Sequence, residues 1–341
     1  MSSTTPGIPS ALLLDLASRY GGEGSTLVLG GEAALTNEMD GEVAFLPTDI
    51  REQDTSRVSI VTNPEQEKFG TVLIPAPPDR DLLRRQLLIA GTAVKEGGRV
   101  LVCGANATGG KTAIKDAAEH FGEAVWSGYR EKHRMAIFAK RELLSPSWAN
   151  ENGITPGTWQ EFEIETPVGV LKLATQAGVF AGAKLDAGTR LLLEHLEVSG
   201  GSNVLDVGCG VGVIGITAAR MGAASVTMTD ANLLAVQAAA HNSKTLGIDA
   251  DVNASDVYQH IGDRRFDLIV SNPPFHRGKQ VDYSVANEII SGAAQRLNPG
   301  GRLVIVANAF LAYGKHMATV FTRVDTIAAT PQYHVLRGEQ T

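Results

Sequence analysis

Asp206, Asp230, Asp256 and Asn272 each close an apolar, largely β-branched run, and together they carry the groups needed to hold a cationic ligand beside a flat amine. Asn272 opens the stretch Asn272-Pro273-Pro274-Phe275, directly after the run 266–271. Tandem prolines cannot continue a strand ladder, so they turn the chain outward and stiffen the carbonyls at the strand end. The Asn272 amide oxygen and the Pro273 carbonyl can then accept the two N–H groups of an exocyclic amine while the Phe275 ring stacks on its heterocycle. Asn and Pro are also common turn formers, so this stretch alone reads equally as a plain turn.

Upstream, Val204-Leu205-Asp206-Val207 runs into Gly208-Cys209-Gly210-Val211-Gly212. Glycines there let a ligand approach the backbone closely, although such a loop is by itself a weak sign. Asp206, on the strand before the turn, would repel a pyrophosphate and suits a cation instead. S-adenosylmethionine, with its ammonium and sulfonium, fits that requirement. A second run, 225–229, ends at Asp230, at the spacing of a ribose-binding acid. A third, near Val252, ends at Ser255-Asp256-Val257, where a polar and an apolar side chain would meet the adenine amine and ring. Each acid alone also reads as a helix cap or a solvated loop. Four successive strand ends delivering polar groups to one rim is the way open α/β sheets bind ligands.

These positions require a sheet whose strands alternate with helices. Helical patterns over 214–221, 233–246 and 286–297 separate the runs from residue 225 onward, which predicts a doubly wound sheet. Residues 324–329 and 333–336, split by Thr330-Pro331-Gln332, read as a terminal hairpin, and 160–173, broken at Thr166-Pro167-Val168-Gly169, as another. Residues 144–157 are rich in turn formers. The expected organisation is a domain over 1–143, a linker over 144–158 and a second domain over 159–341. In the first half, 98–106 lines up with 202–210, with Val102 in place of Asp206 and Asn106 in place of Gly210, so the ligand groups are lost. Asn63-Pro64-Glu65 and Ala76-Pro77-Pro78 then fall before that glycine turn, in the wrong order for a counterpart of Asn272-Pro273-Pro274. Gly104–Thr112 looks like a phosphate loop, but Ala105 stands where its first glycine is required, so no phosphate site is expected.

Asp206-Val207-Gly208-Cys209-Gly210, Asp230, Asp256 and Asn272-Pro273-Pro274-Phe275 resemble the motifs of class I S-adenosylmethionine-dependent methyltransferases that modify exocyclic amines. The block 271–276, with Leu297-Asn298-Pro299-Gly300-Gly301 and 305–311, is similar to the ribosomal RNA guanine-N2 methyltransferases of the small-subunit type. So is the segment from Gly178-Val179-Phe180 to Leu185-Asp186-Ala187-Gly188-Thr189. The resemblance covers residues 165–341, with the N-terminal half following the plan more loosely. It implies two tandem Rossmann-like domains, the first degenerate and used for support and RNA docking, the second a seven-stranded sheet with an antiparallel last strand. It further implies cofactor contacts from Asp206, Gly208, Gly210, Asp230, Asp256 and Asn272, and catalysis by Asn272, Pro273 and Phe275. Substrate contacts would come from Phe180, Pro274, His276 and Arg277, with no metal. The substrate would be ribosomal RNA or the small subunit, reached by single-stranded or flipped-out bases. Large-subunit RNA, adenine N6, a protein glutamine, or a non-catalytic RNA-binding role are the alternatives.

The 341 residues suffice for about two domains. Cys103 and Cys209 both fall in apolar strand-to-turn contexts, so neither a disulfide nor a metal cluster is expected. No leader and no bilayer-long apolar run is evident, and a cytoplasmic monomer is the expectation. Net charge is −7, which argues against indiscriminate nucleic-acid binding. Charge divides evenly, with 16 basic and 19 acidic residues over 1–150 against 14 and 18 over the rest. One cluster stands out: Arg130, Lys132, His133, Arg134, Lys140 and Arg141, read as a solvated edge rather than an RNA patch.

Overall fold

The computed structural model describes residues 7–53, 59–274, 276–277, 280–281 and 283–339, with Gln53, His276, Arg277, Gln280 and Val281 described as backbone only. Two compact units emerge: Met1–Trp159 with Gln176–Gly178, and Gln160–Thr175 with Val179–Thr341.

The first unit runs α1 (Ile8–Tyr20), β1 (Thr26–Leu29), α2 (Ala33–Asn37), β2 (Val43–Leu46), β3 (Ser59–Ile60), β4 (Phe69–Pro75), α3 (Arg80–Ala93), β5 (Val94–Ala105), α4 (Gly110–Phe121), β6 (Trp126–Arg130) and β7 (His133–Ala139). Its strands form one sheet in the order β3-β2-β1-β4-β5-β7-β6, parallel as far as β5 and antiparallel at β7 and β6. Val100-Leu101-Val102-Cys103 is fully buried, the continuous apolar run of a strand covered on both faces. Residues 144–158, expected as a linker, are not a free connection. Trp148, Ala149 and Ile154 are buried in this unit's core, the Trp148 indole donates to Glu119 at 2.9 Å, and Arg84 lies over its ring. One large aromatic in a turn-rich stretch is enough to draw it inward.

The second unit begins with an antiparallel pair, β8 (Gln160–Thr166) and β9 (Gly169–Thr175). There follow α5 (Ala187–Glu194), β10 (Asn203–Val207), α6 (Val213–Arg220), β11 (Ser225–Asp230), α7 (Leu233–Thr245), β12 (Asp251–Ala254), β13 (Phe266–Ser271), β14 (His276–Arg277) and β15 (Gln280–Val281). The unit closes with α8 (Ser284–Arg296), β16 (Leu297–Asn308), α9 (Tyr313–Met317), β17 (Arg323–Ala329) and β18 (Tyr333–Glu339). The seven-stranded sheet has the order β12-β11-β10-β13-β16-β18-β17, with β18 antiparallel between β16 and β17. The strand-helix alternation and the antiparallel end are those expected.

The two sheets share one topology, and their registers show which strands correspond. β4 pairs with β5 across a shift between Phe69 and Thr71, and β13 pairs with β16 across a shift between Phe266 and Leu268. Val94–Ala105 therefore answers to Leu297–Asn308, with Gly97-Gly98-Arg99 on Gly300-Gly301-Arg302. This corrects the alignment of 98–106 with 202–210. An apolar strand ending in a glycine turn occurs twice in each sheet, and the pattern alone does not distinguish them. The counterpart of β10 is β1, and Pro75 answers to Asn272, so Ala76-Pro77-Pro78 leaves β4 one residue beyond the point at which Asn272-Pro273-Pro274 leaves β13.

Candidate active site

Three left-handed glycines, Gly208, Gly210 and Gly212 with φ of 74°, 56° and 86°, form the turn between β10 and α6. The Gly208 and Cys209 amides donate to the Thr229 carbonyl at 2.8 and 2.9 Å. The Gly210 amide donates to Asp230 Oδ2 at 2.9 Å, and Asp230 Oδ1 accepts from the Asn232 amide at 2.8 Å. A Cβ at Gly208 or Gly210 would meet nothing within 4 Å, whereas one at Gly212 or Gly215 would strike Met228, which holds α6 tight against β11. The turn is also tied from behind: Asn242 on α7 donates to the carbonyls of Ala174 and Val211, both at 2.9 Å, and accepts from the Ala174 amide at 2.7 Å.

Over this turn lies a cavity of about 300 Å³ lined by Phe180, Gly208, Gly210, Asp230, Asn232 and Asn272-Pro273-Pro274. A second space of about 50 Å³ shares Phe180, Gly208, Gly210 and Asn272 and extends to Lys184, Asp186 and Thr189. The sheet thus brings Gly208, Gly210, Asp230, Asn272, Pro273, Pro274 and Phe180 together. The open glycine cradle and the acid beside it fit a nucleoside-bearing cation such as S-adenosylmethionine, which Gly208, Gly210 and Asp230 would hold.

Asp206 lies elsewhere. Its side chain is fully buried, Oδ2 accepts from the Gly215 amide at 2.9 Å, and Oδ1 has no partner among the described residues. It lines neither cavity. The carboxylate expected at the ligand's cationic end sits beneath the turn, because the glycine cradle comes between. Burial, partly offset by the Gly215 hydrogen bond and helped to a smaller extent by the charge of Asp230, pushes its pKa up to about 7. Asp256 likewise stands outside both linings, and its charge adds to the burial that raises Glu288 on α8. The next residue, Val257, has φ of 48°, a strained conformation for a β-branched side chain and one concentrated at functional sites.

Asn272 is held by two bonds. Its Nδ2 donates to Asp186 Oδ2 at 3.1 Å and to Thr189 Oγ1 at 2.8 Å. Asp186 is also the N-cap of α5, accepting from the Thr189 amide at 3.0 Å. This pair was not singled out for chemistry, although Asp and Thr three apart before a helix is a readable cap. Phe180 is 66% exposed on a loop where Ala181 has φ of 64°, so it is a cavity wall and not a core residue. Phe275 lies outside the described residues, and His276 and Arg277 are described only as backbone pairing with β15.

In the first unit the basic cluster is smaller than it reads. Lys140 is buried on Glu67 and the Val94 carbonyl, His133 is buried on the Glu131 carbonyl, and Arg130 pairs with Asp15 and Glu131. Lys132 and Arg141 stay exposed, and Arg134 lies over the exposed Tyr129 ring while bonding Asn106. Among the described residues no helix is long and apolar enough to cross a membrane. Cys103 and Cys209 are both buried and free, and burial raises both thiols.

Residues 170–337 match the family model of the methyltransferase small domain. The ribosomal RNA small subunit methyltransferase C of Salmonella choleraesuis is 33% identical over 84% of this chain and 81% of its own length. That of Hahella chejuensis is 34% identical over 73% of this chain and 71% of its own. The solved 16S rRNA N2 G1207 methyltransferase of T. thermophilus, in complex with AdoMet and guanosine, superposes with a TM-score of 0.85 at 26% identity, covering 98% of this chain and 92% of the other. With two sheets of one topology, one of them opening on a glycine cradle beside Asn272-Pro273-Pro274, this chain belongs to the ribosomal RNA small subunit methyltransferase C family.

Proposed function

We propose that this protein transfers the methyl group of S-adenosylmethionine to the exocyclic N2 amine of a guanine in small-subunit ribosomal RNA. The observation that carries the reading is the Asn272 amide, whose NH2 is committed to Asp186 and Thr189 while the residue itself walls an open cavity beside the glycine cradle. When bound, S-adenosylmethionine would supply an electrophilic methyl group on a sulfonium and be left as the neutral thioether S-adenosylhomocysteine, while the proton that the methylated amine sheds passes to solvent. Asp230, at the end of β11, would take the ribose hydroxyls, the Asp256-Val257 segment would take the adenine, and Asp206, when ionised, would favour the cation through its field from below.

The guanine amine is a weak nucleophile because its lone pair is delocalised into the ring. Asn272 Oδ1 and the Pro273 carbonyl accept its two N–H groups and bias it toward a pyramidal geometry, aiming the lone pair at the methyl carbon. Phe275 stacks on the base, and Phe180, Pro274, His276 and Arg277 contact the RNA. Positioning and matched electrostatics supply the rate. The first unit serves as support and RNA docking, with Lys132, Arg134 and Arg141 meeting phosphates. The protein acts as a monomer on ribosomal RNA or the small subunit, in the cytoplasm.

Methyl transfer from labelled cofactor to small subunits, large subunits and naked ribosomal RNA, followed by nucleoside analysis, tests the reading. Label in N2-methylguanosine from small-subunit RNA is expected. Label confined to another nucleoside, to protein or to large-subunit RNA would overturn it.

A further inference from the structure

We infer that Asp186 and Thr189 are positioning residues that fix the polarity of the Asn272 amide, and thereby make the site select a base bearing an NH2 group. The inference rests on the methyl-transfer reading above. Both hydrogens of the Asn272 amide are used: Nδ2 donates to Asp186 Oδ2 at 3.1 Å and to Thr189 Oγ1 at 2.8 Å. An ionised carboxylate accepts only. Rotating the amide by half a turn would set Asn272 Oδ1 against Asp186 Oδ2, oxygen on oxygen, so the orientation follows from chemistry as well as geometry. Oδ1 is left as an acceptor on the cavity side, where only a donor can satisfy it.

The carboxylate is itself locked. The Thr189 amide donates to the same Oδ2 at 3.0 Å, as part of the cap on α5. Thr189 is 6% exposed. A Cβ added at Gly188 would lie 3.1 Å from Asp186 Oδ2 and 3.1 Å from the Tyr333 ring, so glycine there leaves the carboxylate its place between helix and strand. Without the two acceptors, the Asn272 amide is free to present NH2 or oxygen to the base. It would then lose the distinction between a base with an amine at C2 and one without.

Hypoxanthine is guanine lacking that amine, which makes inosine the direct probe. Short single-stranded RNAs with guanosine or inosine at the target position are titrated against the enzyme with S-adenosylhomocysteine bound, and kcat and KM are measured with the guanosine RNA. The wild type is expected to favour guanosine by about tenfold, the worth of one acceptor left unpaired by the wrong base. The double variant Asp186→Ala/Thr189→Val is expected to bring that ratio to about one and to lower kcat about tenfold or more, with S-adenosylmethionine affinity unchanged. Because Asp186 also caps α5, thermal melting accompanies each variant, and Asp186→Ser, which keeps a capping oxygen but sets a hydroxyl able to donate where the carboxylate only accepts, is the decisive one. A folded Asp186→Ser enzyme with the wild-type ratio overturns the inference. A wild type that neither methylates the guanosine RNA nor distinguishes it from inosine overturns the reading beneath it.

Discussion

Gly30 and Gly208 occupy the same point of the two sheets, one residue beyond β1 and β10, and both are left-handed, with φ of 68° and 74°. Around Gly30 the space is full: a Cβ there would lie 2.8 Å from Gln86 Nε2, and one on Gly31 would lie 2.7 Å from Pro75 Cγ. Around Gly208 and Gly210 it is empty to 4 Å. The registers carry the comparison further. Val28 stands where Asp206 does, Pro47 where Asp230 does, and Pro75 where Asn272 does. The residue that replaces Asn272 is thus the one that packs into the first unit's turn. Seven strands in a given order need only apolar runs and turn residues, whereas a site needs polar strand ends and unfilled room beside them.

The comparison breaks most sharply at Asn272. Asn272→Ala is expected to lower kcat about a thousandfold while leaving cofactor affinity nearly intact, since in the proposed reaction the amide acts on the amine and only borders the cradle. Rate measurements with calorimetric titration of S-adenosylmethionine check both halves, and a near-normal rate would remove Asn272 from the chemistry.

Importing the first unit's residue into the second turn is the next test. Gly210→Glu, copying Glu32, sets a side chain on a left-handed backbone and fills the cradle, and cofactor affinity should fall about a hundredfold. Gly30→Ala in the first unit should instead cost about 1–3 kcal/mol of stability by overpacking against Gln86, with cofactor titration unchanged. Equal effects on cofactor binding from both would erase the distinction.

Asp206 gives a pH signature that Val28 cannot. Its folded pKa of about 7 lies above the ordinary 3.8, so the native state binds more protons between those values. Its contribution to stability is full below pH 4 and is lost as pH rises toward 7, an effect of order a few kcal/mol. Urea midpoints at pH 5 and pH 8 should differ for the wild type and converge in Asp206→Asn; an unchanged difference would show that another group is responsible.

Phe180→Ala, at a 66% exposed position, should leave melting unchanged and raise KM for RNA about tenfold, as a lost base stack would. The smallest effect is expected from Lys132→Ala with Arg134→Ala, a flatter salt dependence of RNA binding and little change at low salt. An unaltered slope would confine RNA contact to the second unit.

Much of the second unit was legible, because the strand ends at Asp206, Asp230 and Asn272 lie in strongly apolar runs at regular spacing. The open turn at Gly208 and Gly210 was legible for the same reason. The direction of the Asp206 side chain was not: alternation gives the face of a strand residue, but only the packing of α6 on Met228 puts the Gly215 amide above it. Asp186 and Thr189 were visible as a motif without a role, since their partner lies 86 and 83 positions away. The first unit was misaligned by its own regularity, and Trp148 drew a supposed linker into a core.

Asn242 sits behind the glycine turn and joins a strand end, a helix and the Val211 carbonyl through one amide. A turn braced in this way has little disorder left to surrender when a ligand arrives. The free energy of cofactor capture is then not diverted into ordering the loop and shows in full as affinity. Removing the brace would therefore weaken binding as lost entropy, at a residue that lines neither cavity.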